Sequence, residues 1–205
     1  MELAPEASSR DRIIEASLAL FARQGFSSTS MRQIAAAVGM RAPSLYNHFA
    51  GKEAILAALI DAYGPAQGAD RLASPTYRVL ADDPGAFCRK YASDWLDQWC
   101  EPNERRFMDL LSAERSRLGL HRDHFIETLF EREVGAVADY FRRFALTGRM
   151  NAPDPTACAR LFMGGLTFVR MQHLLMPADS SPRVVIAEAL DRVVENFLQL
   201  VIPRT

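Results

Sequence analysis

Apolar residues recur at steps of three and four along almost the whole chain, and no stretch alternates strictly as a half-buried strand would. A first helix is expected over residues 10–23, with Ile14, Leu18 and Phe21 on one face and Gln24-Gly25 closing it. A second starts after Ser30. Gln33, three residues on, completes a capping-box pattern, and Met31, Ile34, Ala35 and Val38 keep helical spacing. Gly39 ends that helix, since glycine enters a left-handed corner without steric penalty. A third helix over 42–49 is anchored by Leu45 and Phe49, and a fourth over 52–63 is broken by Gly64-Pro65. Residues 65–81 read as an irregular connection or a short helix.

The second half continues in the same way. Asp83-Pro84 opens a fifth helix carrying Phe87, Tyr91, Trp95 and Trp99 at steps of four. Pro102 opens a sixth with Phe107, Leu110 and Leu111, ending at Leu118-Gly119. A long seventh, over 122–146, bears the stripe Ile126, Phe130, Val134, Val137, Phe141 and Phe144. Asp154-Pro155 opens an eighth that ends near Met176-Pro177, and Pro182 opens a ninth with the seam Ile186, Leu190, Val193, Phe197 and Val201. The expected fold is therefore all-α, with about nine helices.

The stretch from Thr29 to Lys52 carries the most information. Small Ala35, the corner Gly39 and apolar Leu45 satisfy together the constraints of a tight bihelical corner. That corner is the helix-turn-helix, which lays its second helix in the DNA major groove. Charge agrees with this reading. Residues 8–53 hold six basic side chains against three acidic ones, on a chain whose net charge is −1. A basic head on a near-neutral body suits contact with phosphate at one end only.

Composition narrows the remaining classes. The 205 residues are 49% hydrophobic, ample for a packed core, yet no apolar run approaches the ~18 residues of a spanning helix. No apolar signal region opens the chain, so a cytoplasmic protein without a membrane partner is expected. Cys88, Cys100 and Cys158 form no CxxC and are read as buried, reduced thiols. His121 and His124 stand three apart with no third ligand pattern, so no metal and no cofactor are expected. No nucleophile–base pattern or phosphate loop supports an enzyme.

The head sequence ALFARQGFSSTSMRQIAAAVGMRAPSLYNHFAGKEAIL resembles the tetracycline-repressor-like (TetR/AcrR) family of bacterial regulators almost end to end. The resemblance implies a three-helix head, joined by a fourth helix to a C-terminal helical domain for ligand binding and dimerisation. The expected domains are 1–53 for DNA and 54–205 for the body. The family pattern implies that the positions of Tyr46 and His48 contact the DNA backbone. From side-chain chemistry, Arg41 can fork onto guanine or meet phosphate, and Asn47 can pair with adenine or meet phosphate. Ser44 reaches a base or phosphate, and the Pro43 ring packs on a thymine methyl. Arg32 crosses the backbone or touches a base, and Thr29 and Ser30 offer hydroxyls. Lys52, at a helix start, favours phosphate. Ala42 departs from the family pattern, which often has a polar or basic residue there, and can make only apolar contact.

Two heads about one helical turn apart (~34–36 Å) read a palindrome far more tightly than one. The seam of the ninth helix, with Gly164 and Gly165 on the eighth, is the expected homodimer interface, and the family layout implies the same. The aromatic row of the fifth helix reads as core or as the wall of an effector cavity. Trp95, Trp99, Phe107, Leu111, Phe125, Phe168, Met171 and His173 are the expected lining, with Arg170 and Gln172 as further polar ends. Glu114 is read as pairing with an arginine or reaching solvent. The resemblance implies a repressor of a palindromic operator, released by a small apolar or amphipathic molecule. The alternatives are an activator, or a regulator controlled by a protein partner, and, remotely, an all-helical enzyme.

Overall fold

The computed structural model describes residues 8–63, 66–113, 131–177 and 180–203. Among these it is helical throughout, with eleven α-helices and one π-helical turn. They are α1 Ser9–Gln24, α2 Met31–Ala37, α3 Ala42–Tyr46, α4 Lys52–Tyr63, α5 Ala66–Leu72, α6 Pro75–Arg78, α7 Pro84–Cys100, α8 Pro102–Ala113, α9 Arg132–Leu146, α10 Pro155–Arg170 and α11 Arg183–Val201. The π-turn, Met171–Leu175, continues α10. The stretch read as irregular or a short helix holds two short helices, α5 and α6. The third helix stops three residues earlier than expected. The sixth helix's Leu118-Gly119 end, the onset of the seventh, and Glu114, His121, His124, Phe125, Ile126 and Phe130 lie outside the described residues.

Packing divides the described residues into two compact units. One holds residues 8–63 and 101–113; the other holds 66–100, 131–177 and 180–203. In the first, Ser8 caps α1 through a reciprocal pair with Asp11, and α1 buries Ile13, Ile14, Leu18, Leu20 and Phe21. These meet Ile34 and Ala35 of α2, Leu45 of α3, Phe49, and Ile55, Leu56, Leu59 and Ile60 of α4. Phe107, Leu110 and Leu111 of α8 complete this core. The helix-turn-helix therefore rests on a core that draws residues from far along the chain.

In the second unit α7 packs on α11, and α10 packs on both α9 and α11. Phe87, Tyr91, Phe141, Phe144 and Phe162 are all buried, with Ile186, Leu190 and Val194 closing the core. Close approach of α10 to α11 requires Gly165: a Cβ there would stand 2.8 Å from Val193 Cγ1. No helix of the described residues is long and apolar enough to cross a membrane.

Candidate nucleic-acid interface

The bihelical corner forms as its sequence dictates. Ser30 Oγ accepts from Gln33 N (3.3 Å) while Gln33 Oε1 accepts from Ser30 N (2.7 Å), satisfying orphan donors at the start of α2. Gly39 turns the chain at φ +70°, where a side chain would strain the backbone. Arg12 Nη2 donates to Val38 O (3.3 Å), tying α1 to the end of α2. Leu45 (0% exposed) and Phe49 (3%) pin α3 from beneath, and the Arg10 guanidinium lies 4.5 Å from the Phe49 ring centre.

What the core does not take remains on the surface. Tyr46 is 53% exposed, and Arg32, Arg41, Pro43, Asn47 and His48 are exposed too. Ala42 and Ser44 are half-buried. Arg41 occupies the N-cap position of α3 yet makes no capping bond with its side chain. A rigid scaffold thus presents a compact set of basic, hydroxyl, amide and phenol groups.

Besides Ser30, whose hydroxyl caps α2 by accepting from Gln33 N and donating to Gln33 Oε1, two of the expected contact residues have other duties. Thr29 is buried: its hydroxyl donates to Gly25 O (2.8 Å) and accepts from Gln24 Nε2 (3.0 Å), locking the turn between α1 and α2. It presents no hydroxyl to a ligand. Lys52 Nζ donates to Phe26 O (2.7 Å) and Ser27 O (3.3 Å) and lies 4.7 Å from the Phe26 ring centre. Two of its three donors are therefore used within the head.

The residues expected to line a body cavity do not converge. Phe107 and Leu111 belong to the core of the first unit. Phe125 lies outside the described residues. Trp99 is buried in the second core with the Arg170 guanidinium 5.3 Å from its ring centre, and Trp95 is half-buried. His173 is bonded to Ser181 (3.0 Å), whereas Phe168 (68% exposed) and Met171 (41%) face outward. The expected dimer seam also turns inward: Ile186, Leu190 and Val201 are buried in their own chain, and Val193 and Phe197 pack against the same core. The exposed apolar row belongs to α10 and its π-turn instead: Leu161, Gly164, Phe168, Met171 and Leu175, at steps of three and four.

Sequence reasoning missed Glu133. It lies four residues before Val137, on the apolar stripe of α9, and a carboxylate in that register is the signal that could have found it. The side chain is 2% exposed. Its Oε1 accepts from Tyr91 Oη (2.9 Å) and Trp95 Nε1 (3.1 Å), while Arg71 Nη2 stays 3.8 Å away. Arg71 Nε is also 3.8 Å from Asp94, which accepts from Tyr77 and Lys90. Nε and Nη2 of Arg71 are buried without a hydrogen bond among the described residues, each costing about 1–3 kcal/mol. Burial raises the Glu133 carboxyl above its ordinary range; the Trp95 and Tyr91 bonds and Arg71 oppose this. Burial likewise lifts the Tyr91 phenol, aided by Glu133.

A raised carboxyl means the folded chain holds its proton to higher pH than the unfolded chain does. Stability is therefore lost as pH rises from the ordinary glutamate value through the raised one. Glu133→Gln keeps the shape and removes the ionisation. Its stability relative to the parent is expected to increase with pH across that window, measured by urea unfolding at several pH values. A difference independent of pH would show that the Glu133 carboxyl titrates alike in the folded and unfolded chains.

Two known families match successive stretches of the chain. Residues 13–59 match the family described as bacterial regulatory proteins, tetR family. Residues 88–200 match that described as AefR-like transcriptional repressor, C-terminal domain. The HTH-type transcriptional regulator YerO of Bacillus subtilis is 39% identical over 54 residues, 26% of this chain and 19% of that protein. The HTH-type transcriptional repressor ComR of Escherichia coli is 34% identical over 59 residues, 29% of this chain and 28% of that protein. The chain thus spans under a third of the length of either relative. A TetR-family transcriptional regulator from Mesorhizobium loti superposes with a TM-score of 0.80 at 22% identity, covering 95% of this chain and 96% of that one. The flavonoid-responsive regulator FrrA gives 0.69 at 23%, covering 96% and 98%. SmeT, the repressor of the Stenotrophomonas maltophilia efflux pump SmeDEF, gives 0.69 at 18%, covering 97% and 92%.

Proposed function

The chain belongs to the tetR family of bacterial regulatory proteins, which are DNA-binding regulators rather than enzymes, and we propose that it is a repressor that holds a palindromic operator as a homodimer and lets go when a small effector enters its body. The observation that carries this reading is the pre-formed corner, in which Leu45 and Phe49 hold α3 so that Tyr46 and its neighbours stand clear of the core. In this reading residues 1–53 read DNA and 54–205 bind effector and partner, in the cytoplasm.

Within the head, Arg41, Ala42, Pro43 and Ser44 meet base edges, while Tyr46, Asn47 and His48 grip the backbone beside them. Arg32 and Ser30 extend the grip along α2. Lys52 serves twice: two donors hold the α1–α2 turn and the third meets a phosphate. Lys52→Met is expected to lower stability by about 1 kcal/mol. It should also reduce the slope of log affinity against log salt by about 0.9. A slope left unchanged would leave Lys52 with the turn alone.

A second copy of the chain covers the exposed row of α10. Leu161, Gly164, Phe168, Met171 and Leu175 follow a heptad-like spacing, and Gly164 has open space where its Cβ would be. The effector acts through α7. That helix ends at Cys100 and α8 begins at Pro102, so one residue links the aromatic row of the body to the helix buried in the head's core. An apolar or amphipathic molecule favouring a shifted α7 would move α8 and the reading heads, by as much as its affinities for the two forms differ. Names such as flavonoid-responsive regulator and efflux-pump repressor among the structural neighbours support such control.

Selection of bound sequences from a random DNA pool tests the reading. An enriched palindrome with half-sites about one turn apart is the expected result. A folded dimer that enriches nothing, after removal of any co-purified small molecule, would refute it.

A further inference from the structure

The opening turn of α1 carries two arginines that the helix-turn-helix does not account for. Arg12 Nη2 donates to Val38 O, ahead of Ala42 where α3 begins. The Arg10 guanidinium lies 4.5 Å from the ring centre of Phe49, beyond Tyr46 where α3 ends. The two cations are thus pinned at either end of the reading helix. Neither forms an ion pair with a carboxylate among the described residues. Asp11, between them, is drawn back onto the cap, where Ser8 N (3.2 Å) and Ser8 Oγ (2.8 Å) donate to it. Arginines of the second unit are placed differently: Arg71, Arg132, Arg143 and Arg160 stand 3.8, 3.5, 3.3 and 2.8 Å from a carboxylate oxygen.

Both side chains are fixed without being neutralised. A guanidinium carries about five N–H donors, all in its plane. Arg12 uses one of them on Val38, and lying over the Phe49 ring uses none of those on Arg10. Arg10 and Arg12 are both exposed, so the remaining donors are open to a ligand. Holding an arginine in place beforehand lowers the entropy cost of ordering it on a phosphate. The position is also suitable. The major groove is about 8.5 Å deep and a helix with its side chains about 10–12 Å across. Elements resting against a helix in that groove therefore lie at the level of the phosphate rims, and the opening turn of α1 touches both ends of α3's surroundings.

We infer that Arg10 and Arg12 grip phosphates on the rims of the groove that α3 enters, so that the head holds duplex DNA through α1 as well as through the helix-turn-helix. Arg12 is a positioning residue too, since its bond to Val38 O fixes the carbonyl end of α2 from which Gly39 turns the chain. The inference rests on the reading of the head as a DNA-binding surface and extends its footprint.

The full-length protein is titrated at several salt concentrations against the selected palindrome and against an unrelated duplex of equal length. Arg10→Gln and Arg12→Gln should each reduce the slope of log affinity against log salt by about 0.9, and the double variant by about 1.8. The loss should be alike on both duplexes, since phosphates carry no sequence. Arg89→Gln removes the same charge from an exposed position on α7 and should keep the parental slope. A parental slope in folded Arg10→Gln or folded Arg12→Gln, a loss confined to the palindrome, or an equal fall in Arg89→Gln would overturn the inference. Arg10 lies on the surface, so its variant should melt near the parental temperature. If Arg12→Gln does not fold, Arg10→Gln decides: a parental slope there overturns the inference. The parent separates the two readings. A parent that enriches a palindrome, with variants at its own slope, keeps the regulator reading and loses this one; a parent that binds no DNA loses both.

Discussion

Phe168→Glu is expected to yield a folded monomer that no longer holds its operator. Phe168 is 68% exposed in the single chain, so the substitution removes little from the core and the monomer should melt near the parental temperature. In the proposed dimer the same side chain lies midway along the row from Leu161 to Leu175. A carboxylate there meets its own copy across the two-fold axis in an apolar seam. Central hot spots are worth about 2 kcal/mol or more, and a buried unpaired charge costs more still, so dimer affinity should fall at least about a hundredfold. Operator binding should fall with it, because an isolated head makes only a few contacts. Sedimentation velocity and an operator titration on the same sample check both halves. A dimer of parental affinity would put the interface elsewhere; a monomer that still binds tightly would remove the need for two heads.

The head was legible because its signals are local. The Ser30–Gln33 capping box and the glycine at position 39 are short-range chemistry, and each formed as its residues dictate. Helix starts at Pro84, Pro102 and Pro155 were readable for the same reason, since proline marks a first turn. Facing was not legible where a helix has two apolar rows. On α11 the seam of Ile186, Leu190, Val193, Phe197 and Val201 was expected to meet a partner, yet it packs in its own core. On α10 Phe168 and Met171 were expected to face an effector, yet they point outward. Periodicity gives the face of a helix, and only the neighbouring helices decide what that face meets. The place of Phe107 and Leu111 in the head's core is of the same kind, because it depends on a contact between segments some ninety residues apart. Thr29 differs again: its hydroxyl was visible in the sequence, but Gly25 O and Gln24 within the same turn take it first.

Within the head, the sharpest separation of reading from folding lies at position 46. Tyr46 follows Leu45 in sequence but faces the other way, 53% exposed against 0%. Tyr46→Ala therefore leaves no cavity, and the fold should be unaffected beyond a few tenths of a kcal/mol, as at an ordinary surface position. Operator binding should weaken by about 1–3 kcal/mol, or roughly five- to a hundredfold, if the phenol grips DNA as proposed. A backbone contact is independent of base identity, so the loss should be similar on the selected palindrome and on unrelated duplex. Tyr46→Phe isolates the hydroxyl: a loss as large as that of alanine assigns the effect to a phosphate hydrogen bond, and a parental affinity assigns it to the ring. Unchanged binding in Tyr46→Ala, with melting also unchanged, would mean that α3 is not the element laid against DNA.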